Sequence, residues 1–459
     1  MNRRFIFKVG IIAALMLLLL IPLAMIEGVV SERVFFREEA RNSISQSWTG
    51  NQKLIGPVLI VPYVEYYKKR EWDSNLKTYQ NITYHTNRKL YILPENLQIN
   101  GEVKTENRKR GLYDIPVYAT DLDIKGTFSN REAVHQAQNK GSNIKWKKPY
   151  LTILISDIRG ISEQPLLNWA GKEYEFASGS AVEQIGNGMH ASLGELETGR
   201  ITAYPFSFKV NLKGMEKIQF AAVGKTTKVS LSANWPHPSF IGRYLPATKV
   251  IDPDKFSATW QLSSFSSDMP RLINACQNNQ CSEFTNNTFG VALINTVDIY
   301  HKTERSVKYA ILFISLTFIT FFLFEIMKNL RLHPMQYLLV GMSLTFFYLL
   351  LVSLSEHIAF IYAYMIAAGA NIITIGIYIS AILSSRKMAT GFSGMLTLLY
   401  MMLYAILVSE DNSLLMGSLL FFSILSLVML ITRKVDWYEV TEKLANQTAH
   451  KSPIEQTNG

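Results

Sequence analysis

Residues 307–432 are almost continuously apolar, and this stretch limits what the rest of the chain can fold into. An α-helix rises about 1.5 Å per residue, so roughly 20 apolar residues cross a bilayer core about 30 Å thick. Five such runs fit here, at 307–327, 335–354, 358–383, 391–408 and 413–431. The breaks between them are short and polar, at 328–334, 355–357, 384–387 and 409–412. Backbone groups cannot stay unpaired in hydrocarbon, so tightly joined spanning helices are expected. A soluble core built from the same runs would have no amphipathic helices to cover it. A sixth run, 5–26, stands alone near the N-terminus. It has the basic start and apolar middle of a signal peptide, but it is long and no Ala-x-Ala site follows it, so an uncleaved anchor is expected.

Lysine and arginine near span ends collect on the cytoplasmic side. Arg3, Arg4 and Lys8 precede the first span, Lys328 and Arg331 follow the second, Arg386 and Lys387 the fourth, and Arg433 and Lys434 the last. The alternate breaks carry Glu356 in one and Glu410 with Asp411 in the other, and neither holds a Lys or Arg. Six spans place every basic break on one side; five or seven mix them. Both termini are then cytoplasmic and the long middle segment lies outside. The expected division is an anchor (1–30), an outer β-rich domain with an N-terminal helical stalk (31–306), a five-helix membrane region (307–432) and a cytoplasmic tail (433–459). The formal charge of +10 over 459 residues follows from the topology signal and a modestly basic outer domain, so the bilayer and not nucleic acid is the expected partner.

The outer segment opens with a helical pattern. Ser31 is placed to cap it, Val34, Phe35, Ala40 and Ile44 form its apolar stripe, and it ends at Trp48-Thr49-Gly50. A rigid stalk is preferred over a helix lying on the membrane surface. From Leu54 the period changes to that of strands. Runs rich in β-branched and aromatic residues recur at 56–64, 89–94, 112–118, 150–155, 206–212, 218–223, 228–233, 257–262 and 290–294. Several alternate apolar and polar, as half-exposed antiparallel strands do, and no amphipathic helices alternate with them. A β-rich sandwich or sheet stack, in one or two lobes, is expected. The Lys- and Asn-rich stretch 130–148 reads as an exposed loop.

Cys276 and Cys281, the two cysteines of the chain, sit close together in this segment. Outside the cytoplasm a structural disulfide pinning a loop is the preferred reading, contributing roughly 2 kcal/mol in the chain-entropy model, ahead of free thiols or redox use. Val223-Gly224-Lys225-Thr226-Thr227 resembles the end of a phosphate loop, but Gln219 stands where that motif needs its first Gly. His190 and His237 are isolated. No catalytic constellation, metal ligand set or cofactor motif emerges.

Ionisable residues in or near the spans are costly in lipid and often mark function. Glu325 lies at the inner end of the second span, His333-Pro334 opens the third, and Glu356-His357 sits at the outer end of the third. A Glu-His pair could shuttle protons, but the two pairs are about 30 Å apart across the bilayer. The preferred expectation is that Glu325 pairs with Lys328 or Arg331 and that Glu356-His357 is a solvated turn. Asn371, in mid-span, reads as an interhelical hydrogen bond more than a transport site.

Several stretches together resemble the CreD family of bacterial inner-membrane proteins, also called cell envelope integrity proteins. They are Asn234-Trp235-Pro236-His237-Pro238-Ser239-Phe240, Arg331-Leu332-His333-Pro334-Met335-Gln336-Tyr337-Leu338-Leu339-Val340-Gly341, Leu354-Ser355-Glu356-His357 and Asp436-Trp437-Tyr438, with Lys53-Leu54-Ile55-Gly56-Pro57 and Lys308-Tyr309-Ala310 in support. The resemblance implies an inner-membrane protein with a periplasmic domain and an envelope-stress role under a two-component system, with links to β-lactam response and colicin tolerance. It carries over no catalytic residues. A non-enzymatic protein whose β domain binds an envelope protein or cell-wall component is therefore expected first. A proton-coupled transporter or channel, and an enzyme acting on envelope lipid or glycan, stand as alternatives.

Overall fold

The computed structural model describes residues 3–73, 77–140, 143–182, 187–277, 282–293, 299–327, 332–383, 386–409 and 413–433. The chain divides into two compact units, Glu39–Thr296 and Met1–Glu38 with Val297–Gly459. The tail from residue 434 onward, with the Asp436-Trp437-Tyr438 motif, lies outside the described residues, as do Lys328, Arg331 and Cys281.

The first unit is β-rich. One sheet runs in the order β14 (Pro238–Gly242), β17 (Phe289–Leu293), β12 (Lys217–Phe220), β1 (Gln52–Asp73), β6 (Tyr150–Ile155), β10 (Met189–Ser192) and β9 (Ala177–Ser178). Strands β2 (Thr78–Ile92) and β5 (Ile144–Trp146) also pair with β1. The other sheet runs β15 (Thr248–Ile251), β16 (Phe256–Ser263), β13 (Thr226–Ala233), β3 (Asn96–Arg110), β4 (Tyr113–Ser129), β11 (Ala203–Met215), β7 (Leu166–Trp169) and β8 (Lys172–Glu175). Pairing is antiparallel except for β1 with β12 and β3 with β13. The two-residue period explains the layering: in β13, Thr227, Val229, Leu231 and Ala233 are buried while Thr226, Lys228 and Ser232 face solvent. Leu54, Ile153 and Phe220 from one sheet share a single apolar core with Ile99, Ile124, Val210 and Trp260 from the other, so there is one lobe and not two.

Two expectations are corrected here. The stretch 130–148 is not a loop: it holds helix α2 (Arg131–Lys140) and strand β5, with Ala133 and Val134 buried. Buried Asn130 anchors it, accepting from the Thr202 amide at 2.7 Å and donating to the Arg200 carbonyl at 3.0 Å. Ser31 caps nothing, because helix α1 runs unbroken from Arg3 to Ser47. Within the β unit, the last turns of α1 are tied down. Ile44 packs on Ile115, Val117 and Met215, and Arg159 donates to the carbonyls of Gln46 (2.8 Å) and Ser45 (3.1 Å). A cation on the last carbonyls of a helix satisfies groups that the helix itself leaves open. Asp157 holds that guanidinium at 2.6 Å and also accepts from the Gly50 amide; the hydrogen bond from Arg159 keeps its carboxyl below the usual range.

Three short helices, α3 (Ser264–Ser267), α4 (Met269–Gln277) and α5 (Ser282–Asn286), precede the second unit. That unit holds the N-terminal part of α1, then α6 (Ile299–Lys308), α7 (Ala310–Met327), α8 (Pro334–Ser355), α9 (Phe360–Leu383), α10 (Arg386–Val408) and α11 (Ser413–Thr432). Among the described residues, four helices are long and apolar enough to cross a membrane, namely Phe7–Ser47, Pro334–Ser355, Phe360–Ile382 and Ala389–Val408. The run expected as a span from 307 to 327 is carried mainly by α7, which meets α6 at a 43° bend at Tyr309; the pair makes a fifth span if it is taken as one. Leu19 and Ile26 of α1, Phe318 of α7, Leu344 and Phe347 of α8, Tyr364 of α9 and Tyr400 of α10 share this unit's core. Gly341 lets three helices converge, since a Cβ there would run into Leu19 of α1 and Phe318 of α7. Small residues let membrane helices approach closely in this way.

Candidate functional site

Glu325 lies in the last turn of α7, and its side chain is 5% exposed. A carboxylate so placed is tolerated only with charge compensation and donors for its lone pairs. Both needs are met. Lys8 of α1 pairs with Oε1, which also accepts from the Leu332 amide at 2.9 Å. The Tyr337 hydroxyl donates to Oε2 at 2.9 Å. Tyr337 is itself fixed by Phe318 and Phe321, whose rings meet it edge-on at 5.6 and 4.9 Å.

The local sequence explains how these donors are presented. His333 is the N-cap of α8 and Pro334 opens the helix. His333 Nδ1 accepts from the Met335 amide at 3.3 Å, and Gln336 Oε1 accepts from the His333 amide at 2.9 Å. This reciprocal box fixes the start of α8. It therefore sets the Leu332 amide and, one turn in, the Tyr337 hydroxyl toward Glu325. The nearby N-terminus of α8 also favours a negative charge. Residues 332–341 of the motif are thus the frame that receives a carboxylate from the preceding helix.

A second ion pair lies at the other end of α8. Arg33 Nε of α1 is 3.2 Å from Glu356 Oε1, with the side chains 39% and 7% exposed. Glu356 is the C-cap of α8, and His357 beside it is exposed. Glu325 with His333 and Glu356 with His357 are thus separated by the 22 residues of α8, about 33 Å. They form two sites and not one. Asn371 donates from Nδ2 to the Ser343 carbonyl, joining α9 to α8.

The remaining candidates lie in the β unit. Trp235 is buried in its core, Pro236 is half-buried, His237 is exposed, and Pro238 starts β14. Asn234, one residue earlier, accepts from the Thr105 amide at 2.8 Å and so ties the motif to β3. A groove of about 630 Å³ opens beside it, lined by Glu102, Lys104, Asn234, Asp252, Lys255 and Phe256. His190 Nδ1 lies 2.7 Å from the Gly179 carbonyl. Cys276 lies on α4, and its expected partner Cys281 is outside the described residues. Among the described residues, no three His, Cys, Asp or Glu side chains converge as a metal ion would need.

The contributions that sequence reasoning missed are those of Lys8 and Tyr337 at Glu325 and of Arg33 at Glu356. Lys8 reads as a topology charge and Tyr337 as one more aromatic in a span. The available signal was that Lys8, grouped with Arg3 and Arg4 as a charge preceding the span, falls within the apolar run 5–26.

The chain matches the family model described as "Inner membrane protein CreD" over residues 4–438. It is 36% identical over 422 residues to inner membrane protein CreD of Escherichia coli (strain K12), covering 92% of this chain and 91% of that protein. A comparison with solved structures returns an M1 zinc metallopeptidase from Deinococcus radiodurans at a TM-score of 0.19 and 8% identity, covering 37% of this chain and 39% of that one. So low a score carries no argument about fold or activity. Apolar helices, a large β unit and a match across nearly the whole length lead to one conclusion: the chain belongs to the CreD family and is a multi-pass inner-membrane protein.

Proposed function

We propose that this protein is a non-enzymatic, six-span membrane protein that supports envelope integrity and the envelope-stress and β-lactam response. In this reading both termini are cytoplasmic, and the β unit works in the periplasm by binding an envelope protein or cell-wall component. The observation that carries it is how the membrane unit uses its buried charges. Glu325 is taken up by Lys8, Leu332 and Tyr337, and Glu356 by Arg33. These groups bind helices to one another, as a structural role requires, and the β unit is left as the part that meets other molecules.

The test combines photocrosslinking in cells with one substitution. A photoreactive residue at His237 or Lys104 is expected to yield an adduct with an envelope protein or glycan. Glu325→Gln is expected to keep the β-lactam and envelope phenotype in proportion to the protein inserted. No adduct from any exposed β-unit position, with a folded Glu325→Gln protein that has lost the phenotype, would sink the proposal. It would favour the second reading, proton-coupled transport, for which Glu325 is a buried carboxylate at a span end with a hydroxyl partner. Alkaline phosphatase fused near residue 200 should be active, and an inactive fusion overturns the orientation.

A further inference from the structure

Strand β1 outruns its sheet. Its last pairing with β5 is at Tyr63–Glu65, and, among the described residues, 66–73 pair with β2 alone. The result is a two-stranded ribbon about 27 Å long. Directly paired residues of antiparallel strands share a face, so the register divides the ribbon's side chains. One face carries Tyr66 with His85, Lys68 with Thr83, Arg70 with Asn81, and Trp72 with Tyr79. The other carries Tyr67 with Tyr84, Lys69 with Ile82, and Glu71 with Gln80.

Charge is sorted between these faces. On the second, Lys69 pairs with Glu71 at 3.1 Å, and the Tyr84 hydroxyl together with Lys69 holds the Glu71 carboxyl below its usual range. On the first there is no carboxylate. Arg70 lies over the Tyr79 ring at 5.1 Å, and Trp72 meets Tyr79 edge-on at 5.1 Å. Among the described residues no acidic side chain pairs with Lys68 or Arg70. Trp72 and Tyr79 are 55% and 57% exposed. The two-stranded ribbon presents these side chains in a row along one face, a shape suited to lying on a surface.

We propose that the Tyr66–Lys68–Arg70–Trp72 face docks on an anionic phospholipid surface. Lys68 and Arg70 take lipid phosphates, while Trp72, Tyr79 and Tyr66 settle at the level of the headgroups. Tryptophan and tyrosine favour that boundary, with an apolar ring and one polar atom to keep wet. The uncompensated cations supply the complementarity to an anionic layer. The chain also enters and leaves the β unit through membrane helices, so lipid is a standing partner of the molecule. The inference goes beyond the proposed function, in which the β unit binds an envelope protein or cell-wall component, by giving this ribbon a lipid contact of its own.

The test uses the full chain in lipid nanodiscs of phosphatidylcholine, with or without phosphatidylglycerol, the acyl chains brominated near the headgroup. The Trp72 signal is the wild-type fluorescence minus that of Trp72→Phe. Bromolipid is expected to quench it in the anionic discs and to leave it largely unquenched in the neutral ones. Two cations at the surface correspond to a roughly 30-fold difference in partitioning. The double variant Lys68→Glu, Arg70→Glu should abolish that difference. If Trp72→Phe fails to fold, a photoreactive residue at Lys68 should form lipid adducts, scored by mass, in the anionic discs. The proposal is overturned if Trp72 stays equally open to acrylamide in both discs. It is overturned too if a soluble anionic glycan or self-association protects Trp72 in neutral discs. Either result leaves the crosslinking test of the β unit intact, so the two failures are distinguishable.

Discussion

Removing Lys8 should loosen the membrane unit through Glu325 alone. In Lys8→Met the carboxylate keeps its bonds from Leu332 and Tyr337 but loses its counter-charge. A hydrogen bond to a charged group contributes about 1.5–3 kcal/mol, and stripping one partner from a fully buried pair costs about 3–5 kcal/mol. Lys8 is 28% exposed and Glu325 5%, so water recovers part of the loss. Lys8→Met should therefore cost about 1–3 kcal/mol. Glu325→Ala strands three donors at once and should cost about 3–5 kcal/mol. Because the partners touch, the double variant should cost less than the two singles summed, by about 1–2 kcal/mol. The assay is reversible unfolding in mixed micelles with increasing denaturing detergent, monitored by tryptophan fluorescence. Tyr337→Phe, which removes one donor and keeps the ring between Phe318 and Phe321, should fall between wild type and Glu325→Ala. Strict additivity of Lys8→Met and Glu325→Ala would refute the reasoning, because the two side chains would then not be bonded.

The Arg33–Glu356 tie should behave differently. Arg33 is 39% exposed, so Arg33→Met or Glu356→Gln should cost only about 0–1 kcal/mol in the same assay and add to Lys8→Met without coupling. Gly341→Ala should cost about 1–3 kcal/mol, since its Cβ meets Leu19 and Phe318, and Leu19→Ala should recover part of that loss. The Asp157 carboxyl is held below its usual range by Arg159, so its contribution is present at neutral pH. That contribution should be lost as pH falls through and below the ordinary carboxylate range near 4. Hydrogen-exchange protection of the amides of residues 44–48, corrected for the intrinsic pH dependence of exchange, should fall over that window in the wild type and already be low at neutral pH in Asp157→Asn.

The strands were readable where one face is buried and the pattern alternates, as in β13 and β16. They were unreadable where tertiary context overrides pattern. In β3 only Leu97, Ile99 and Val103 point inward, and the outer half, Lys104 to Arg110, is polar on both faces because β4 alone pairs with most of it. Helix α2 has two buried side chains, Ala133 and Val134, too few to stand out among Lys, Asn and Gln. The start of α8 was legible, because Pro at the first helical position and Gln336 at the third are a helix-opening signature. The partner of Glu325 was not, because Lys8 lies 317 residues away and its charge already had an explanation in the topology. A charge with one sufficient cause leaves no residue of signal pointing to a second.

Helical phase offers a stronger handle on that second cause. Lys8 and Arg33 lie about 37 Å apart along α1 and, at 100° per residue, within about 20° of the same direction. Between them, Ile12, Leu19, Leu23, Ile26 and Val30 are buried and fall on that same side. The stripe thus ends in a cation at each extreme, and α8, about 33 Å long, is met by a carboxylate at each of its own ends. Such matching requires one rotation of α1. Inserting a single alanine between Gly10 and Ile11 turns Lys8 by about 100° while leaving the stripe and Arg33 in place. The insertion should cost what Lys8→Met costs, about 1–3 kcal/mol, and almost nothing when added to Lys8→Met. An insertion that is harmless in the wild type would show that the first turns of α1 are free to rotate. Glu325 would then have to be neutralised from elsewhere.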